Sequence, residues 1–228
     1  MQKVLDGVVN AVKWPAALAA VLFLPGSVTT MGPLLDRLTE MPGRAVPFVM
    51  GFLGYAAGWW LAFRKRAWGS AFSTLEHELT HALFAVLTFH RVTSIKTTWQ
   101  QGGAVRIEGG GNWLIAVAPY FFQTLTFVVL VFMFFMEGGG PGWLNIALGA
   151  TVCYHATSTW RETHREQTDL KEVGFLFAFF FLPAVNVLSY GFILAFVLGG
   201  WPEGQGYLGE TWRSTLELST QLLARVRA

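Results

Sequence analysis

Residues 45–63, 113–136 and 173–198 contain no charged side chain. Each run is close to the ~20 mostly apolar residues that a helix needs to cross a bilayer. Inside lipid a backbone must satisfy its own N–H and C=O groups, so such runs fold as helices. The composition agrees: 53% of residues are hydrophobic and 13% are charged, against about 25% charged in an ordinary soluble domain. Mean hydropathy is +0.45. The 20 Phe and 10 Trp suit lipid-facing surfaces and interfacial belts. At 228 residues there is no room for a separate soluble domain of usual size.

Three further stretches extend the pattern. Residues 67–89 are long enough to span, residues 142–160 are shorter and carry His155, and residues 15–31 form a weaker first span. In that first stretch Pro25-Gly26 reads as a turn, and the segment reads as a retained span rather than a cleaved signal. Arg64-Lys65-Arg66 closes the 45–63 span. The chain thus reads as an all-α polytopic, integral membrane protein of about six transmembrane helices. Residues 1–206 form one membrane-embedded domain, with its core at 67–200, and 207–228 form an amphipathic tail with Leu208, Trp212, Leu216 and Leu222 roughly on one side. Lys and Arg divide evenly between the two sides that this topology creates, so the positive-inside rule sets no orientation. A net charge of +2 gives no reason to expect nucleic acid, and the single cysteine, Cys153, excludes an intrachain disulfide.

Within the 67–89 stretch lies His77-Glu78-Leu79-Thr80-His81, an HExxH motif. Chance placement in a chain of this composition gives it at roughly 0.5%. On a helix, His77 and His81 share one face, and two imidazoles there can hold a zinc ion while leaving coordination positions open. Glu78 then stands beside the metal, where it can take a proton from the attacking water. Glu76, His77, Glu78 and His81 crowd into six positions of an apolar segment, and ionisable groups within a span are costly enough to point to function.

Two histidines leave a hydrolytic zinc site one protein ligand short. His90 ends the motif helix and reads as interfacial. The segment 154–169 is unusually polar for its position, and His155, Glu162 and Asp169 recur in it at steps of seven. His155 lies at about the same depth as His77 and His81, counted from the starts of their spans. Asp169 lies about 21 Å further along a continuous helix, so it reaches the metal only if the chain unwinds or turns back after Trp160. The third ligand is His155 or Asp169.

Between the motif and the next apolar run, Thr93, Ile95, Thr97 and Trp99 alternate with Ser94, Lys96 and Thr98. Val105 and Ile107 do the same after Gln100-Gln101-Gly102-Gly103. This reads either as a small β-hairpin or as an ordinary polar loop, and the hairpin is carried into the expected fold.

Taken together, these features resemble the site-2 protease family of intramembrane zinc metalloproteases. Residues 76–83, Glu-His-Glu-Leu-Thr-His-Ala-Leu, are similar to the family's HELGHAL-type helix. Residues 92–108 resemble the β-hairpin that follows it, and Ala118-Pro119-Tyr120 in the next span adds to the likeness. The resemblance covers roughly residues 70–172 and implies a hydrolase that cuts peptide bonds in or near transmembrane segments of membrane proteins. It implies zinc held by His77 and His81, and Glu78 as general base. The family's third ligand is an Asp in an LDG-type motif, for which Thr168-Asp169-Leu170 is the nearest match; by resemblance Asp169 is the candidate, by depth His155.

The partners expected are the bilayer and a membrane-protein substrate. A hairpin edge could pair with an unwound substrate segment. Gln123, Pro183 and Asn186 read as cavity-lining or, more simply, as packing and helix-kinking residues. Five histidines are too few for a membrane di-iron hydroxylase. The competing reading is an inactive membrane scaffold with a metalloprotease-like fold.

Overall fold

The computed structural model describes residues 2–63, 66–98, 102–136 and 140–227. Arg64 and Lys65, and Trp99, Gln100 and Gln101 at the expected hairpin turn, lie outside them. Ten α-helices and one hairpin are described. α1 (Gln2–Ala11) leads into the long α2 (Lys13–Glu40). α3 (Pro42–Gly58) continues as a π-helical stretch to Phe63, and α4 (Arg66–Leu87) carries the HExxH motif. β1 (Val92–Thr98) and β2 (Gly102–Ile107) pair antiparallel, with Ile95 opposite Val105 and an irregularity between Val92 and Ser94. α5 (Trp113–Val117) and a 3₁₀ turn (Ala118–Tyr120) precede α6 (Thr124–Phe134). α7 (Gly142–Glu162), the short α8 (Thr168–Val173), α9 (Phe175–Gly199) and α10 (Trp201–Arg227) complete the chain.

The expectation of about six spans is corrected. Among the described residues three helices are long and apolar enough to cross a membrane: Lys13–Glu40, Pro42–Ala62 and Phe175–Gly199. A fourth counts only if Trp113–Tyr120 and Thr124–Phe134, bent by 80° at their junction, form one broken span. α4 and α7 drop out because they hold the polar side chains. α4 buries Glu76, His77, Glu78 and His81, while α7 buries Asn145, His155 and Ser158. Their length is sufficient, but their lipid-like surface is not. The protein remains an integral, multi-pass membrane protein.

The turn expected at Pro25-Gly26 is also absent. α2 runs through both Pro25 and Pro33. Ser27, Thr29 and Thr30 hydroxyls donate to carbonyls one turn back, a common accommodation of proline in such helices. Gly26 is needed for a different reason: any Cβ there would run into Thr215 and the Thr211 carbonyl of α10.

Aromatic residues fill the core beside the HExxH helix. Trp113 of α5 meets Phe177 and Phe181 of α9 edge-on at 5.1 and 5.3 Å, and Leu170 and Val173 of α8 join the same cluster. A second cluster packs Phe48, Met133, Leu148 and Phe196 from α3, α6, α7 and α9. On the other side of α4, Phe84 and Ala85 bury against Ile115 and Ala118, with Val92 and Ile107 of the hairpin packed on them. This contact seats β2 over the motif. Phe89, at φ 60°, ends α4 in a left-handed conformation while the His90 amide caps the Ala85 carbonyl at 2.8 Å, which turns the chain into β1.

Candidate metal centre

The i, i+4 spacing on α4 brings His77 and His81 onto one face, with their Nε2 atoms 3.1 Å apart. Their Nδ1 atoms are both occupied. Nδ1 of His81 lies 2.8 Å from the backbone carbonyl of Ile115 on α5. A carbonyl only accepts, so this nitrogen carries the proton. Nδ1 of His77 lies 2.5 Å from Oε2 of Glu162 at the end of α7. The opposite carboxylate oxygen of Glu162 accepts from the Ser73 hydroxyl at 2.6 Å, and Ser73 and Ser158 share a further hydrogen bond of 2.7 Å. With both Nδ1 positions donating, both Nε2 atoms present bare lone pairs to one point.

Asp169 completes that point. α7 stops at Glu162, where the Thr163 amide caps the Thr159 carbonyl. The chain reverses over residues 163–167 and α8 begins. The reversal returns Oδ2 of Asp169 to 3.4 Å from Nε2 of both histidines, and the Tyr120 hydroxyl donates to the same oxygen at 3.3 Å. Gly174, at φ 84°, then lets α8 join α9 with no helical linker.

His77, His81 and Asp169 are the group of ligand-type side chains, among the described residues, whose donor atoms converge closely enough to hold a metal ion. The donor set fits zinc. Ligands at about 2.0–2.1 Å around a tetrahedral ion stand about 3.3 Å from each other. The separations here are 3.1, 3.4 and 3.4 Å. Three lone-pair donors facing each other at such distances repel unless a cation lies among them.

His155, the alternative third ligand, is buried elsewhere. Its Nε2 is 3.4 Å from the Thr159 hydroxyl and its ring is 6.3 Å from that of Tyr190 on α9. It matches the depth of the pair but faces the α7–α9 packing. Glu78 points the other way from the core packing, into a cavity of about 590 Å³ whose floor holds His77, His81 and Asp169. β2 forms one wall of that cavity, from Gly103 to Ile107, while Gln167 and Glu172 stand on another. Gln123 and Asn186 do not line it. Asn186 donates to the carbonyls of Tyr120 and Leu182, each at 2.9 Å, and Gln123 reaches Ser189 at 3.4 Å.

Three parts of the site went unmarked in the sequence: the Ile115 carbonyl, the Ser73 and Ser158 hydroxyls beside Glu162, and the Tyr120 hydroxyl on Asp169. Glu162 had one visible signal, its place in the heptad-spaced polar stripe. Ile115 had none, since a backbone carbonyl is silent in sequence. His90 is buried, 3.2 Å from Asp6 of α1 and 2.9 Å from the Gly110 carbonyl, and Asp6 also accepts from Asn112 at 2.8 Å. α1 is thereby tied to the loop leading into α5.

Residues 52–185, well over half of the chain, match the family described as Peptidase M50B-like. No curated protein and no solved structure matches the chain.

Proposed function

The chain belongs to the Peptidase M50B-like family, and on that premise we propose that it is a zinc-dependent intramembrane endopeptidase acting on membrane-protein substrates. The observation that carries the proposal is the convergence of two proton-free Nε2 atoms and one carboxylate oxygen beneath a cavity that also contains a free carboxylate, Glu78. His77, His81 and Asp169 would hold the ion.

Zinc bound there would supply Lewis acidity for the scissile carbonyl and bring the pKa of a water toward neutrality. Glu78, on the cavity side of the motif helix, takes the proton of the attacking water and returns it to the leaving amine. Glu162 and the Ile115 carbonyl fix the tautomer and ring orientation of the two histidines, so that their Nε2 lone pairs stay aimed at one point. Tyr120 holds Asp169 in place through its hydroxyl. A helical substrate hides its carbonyls in its own hydrogen bonds and must unwind to be cut. β2 is paired with β1 along one edge and lines the cavity, so an extended segment laid along it can exchange helical hydrogen bonds for strand pairing.

The test is Glu78→Gln, which keeps the shape but cannot accept the proton. Purified variant in detergent or liposomes is expected to keep about one zinc per chain and to lose roughly 10²-fold or more in cleavage of a transmembrane reporter. Wild-type turnover by this variant would remove Glu78 from the role of base. Stoichiometric zinc with no cleavage by the unmodified protein, across a panel of membrane substrates, would favour the scaffold.

A further inference from the structure

The carbonyl that fixes His81 comes from the middle of α5, a helix of only five residues. In a continuous helix the Ile115 carbonyl would accept from the amide four residues on. That residue is Pro119, which has no N–H. The Ile115 carbonyl is therefore left for Nδ1 of His81, and its aim depends on how the first turn of α5 is held. So short a helix does not hold itself.

α1 supplies the hold. Gln2, Asp6 and Asn10 recur at steps of four and share one face of α1, and all three bond to residues 108–113, while Val4 and Val8 are exposed on the outward side. One oxygen of the Asp6 carboxylate accepts from the Asn112 side-chain amide at 2.8 Å, and the other is 3.2 Å from Nε2 of His90. With its NH2 on Asp6, Asn112 directs its side-chain oxygen to the Ile115 amide, from which it accepts at 3.2 Å, and so caps α5. Asn10 Oδ1 accepts from the Trp113 amide at 3.2 Å, and the Val9 carbonyl accepts from the Trp113 indole. Two amides in the first turn of α5, which no helical carbonyl can reach, are thus satisfied, one by α1 and one by a side chain that α1 orients. His90 ties the same loop. The Gly110 carbonyl, 2.9 Å from its Nε2, only accepts, so that nitrogen carries a proton, directed at Gly110 and Asp6. His90 and Asn112 are each 3% exposed, so water competes little for these bonds.

We infer that Asp6 is a positioning residue for the metal centre, acting through the Asn112 side chain and the Ile115 carbonyl on the ring of His81. The inference rests on the reading that His77, His81 and Asp169 hold a zinc ion. Asp6 touches neither that ion nor a substrate. It fixes the start of α5 and so the direction of one carbonyl. That carbonyl fixes which nitrogen of His81 carries the proton and where its Nε2 lone pair points. The same bonds set one wall of the metal cavity, because Gly111, Asn112, Ile115 and Ala116 line it.

The experiment measures zinc affinity of the purified full chain by competition with a graded chelator, and the visible absorption of Co2+ loaded in place of zinc, which reports ligand geometry. Asp6→Ala is expected to weaken zinc binding by about three- to ten-fold, less than the 10- to 100-fold of a group bonded directly to a ligand, and to alter the Co2+ bands. Asp6→Asn keeps an acceptor for Asn112 and should restore both. Asn112→Ser keeps a capping oxygen but has no amide to give Asp6, and should resemble Asp6→Ala; the double variant should lose no more than the larger single loss. Should Asp6→Ala fail to fold, Asn112→Ser decides in its place. Gln2→Ala removes a bond from α1 to the Glu108 carbonyl that does not reach α5, and should leave affinity and spectrum unchanged. An unmodified chain that binds no metal would remove the metal centre itself. Metal binding by the unmodified chain with equal affinity in Asp6→Ala overturns the role of Asp6 alone. So does an equal loss in Gln2→Ala, or weaker binding in Asp6→Ala with an unchanged Co2+ spectrum, since either makes Asp6 a contact for stability only.

Discussion

Gly103 of β2 is pressed onto Glu78 of α4: a Cβ on Gly103 would stand 2.5 Å from Cγ and 2.6 Å from Oε1 of Glu78, and 2.7 Å from Cγ2 of Thr74. The strand thus rests on the carboxylate that the proposed chemistry needs. Gly103 has an ordinary backbone conformation for a strand, so space alone, not φ, requires glycine there. Of the three atoms met, two belong to the Glu78 side chain, which yields more readily than backbone. Gly103→Val is therefore expected to leave zinc stoichiometry unchanged and to lower cleavage of a transmembrane reporter by about ten-fold or more, since a displacement of about 1 Å at a catalytic group has effects of this size. Unchanged cleavage would show that β2 lifts away from Glu78 during turnover.

Asp169 and His155 separate cleanly in a metal assay. Asp169→Ala removes one of three converging donors and should weaken zinc binding by more than the 10- to 100-fold typical of an outer-shell partner. His155→Ala removes a ring packed against α9 and should leave zinc bound at one per chain. The measurement is zinc content by elemental analysis after dialysis against a graded chelator. Metal loss in His155→Ala with retention in Asp169→Ala would reverse the assignment.

Glu162 is expected to act on the metal through His77. Glu162→Ala leaves the His77 Nδ1–H without its carboxylate and frees the ring to rotate or change tautomer, so zinc affinity should drop by roughly 10–100-fold. Glu162→Gln keeps a carbonyl acceptor and should lie between the Ala variant and the unmodified protein. Ser73→Ala, which removes a donor to the far side of Glu162, should be milder still. Equal zinc affinity in all three would show that α4 alone holds His77 in position.

The parts of this site that were legible in the sequence are the local ones. His77 and His81 are four residues apart, and one helical turn places them together whatever the rest of the chain does. The alternation around Val105 and Ile107 likewise reported a strand pair before any tertiary contact was known. Asp169 was harder because its approach depends on where α7 stops. The depth count treated each helix as a straight rod and so favoured His155. The reversal at residues 163–167 overrides that count, and no strong breaker marks it: there is neither Gly nor Pro between Glu162 and Thr168. The span count failed for a related reason. Length and an apolar flank suggested that α4 and α7 cross the bilayer, yet the side chains that build the site are what lower their hydropathy. α10, read as an amphipathic tail, packs its small and hydroxylated face along α2.

Two glycines hold α3 against α7, and their contacts are reciprocal. A Cβ on Gly51 would run into the backbone of Ile146, and a Cβ on Gly149 into the Phe48 carbonyl and the Phe52 amide. Backbone cannot rotate away as a side chain can, so the helices must separate to admit even a methyl group. Small residues at such crossings let helices in membranes gain dispersion contacts that lipid does not otherwise favour. Gly149→Ala is therefore expected to destabilise the protein by about 1–3 kcal/mol, the usual cost of overpacking a tight contact. Gly54→Ala on the same α3 is the control, because a Cβ there meets nothing within 4 Å; its stability should be unchanged or slightly higher, since alanine favours the helix over glycine. The pair Gly51→Ala and Gly149→Ala should lose less than the sum of the single losses, because one separation of α3 from α7 relieves both clashes. Thermal unfolding in a single detergent, followed by loss of Trp fluorescence or by aggregation, gives the ordering. An additive double variant would mean that the two crossings yield independently, and that α3 and α7 flex rather than part.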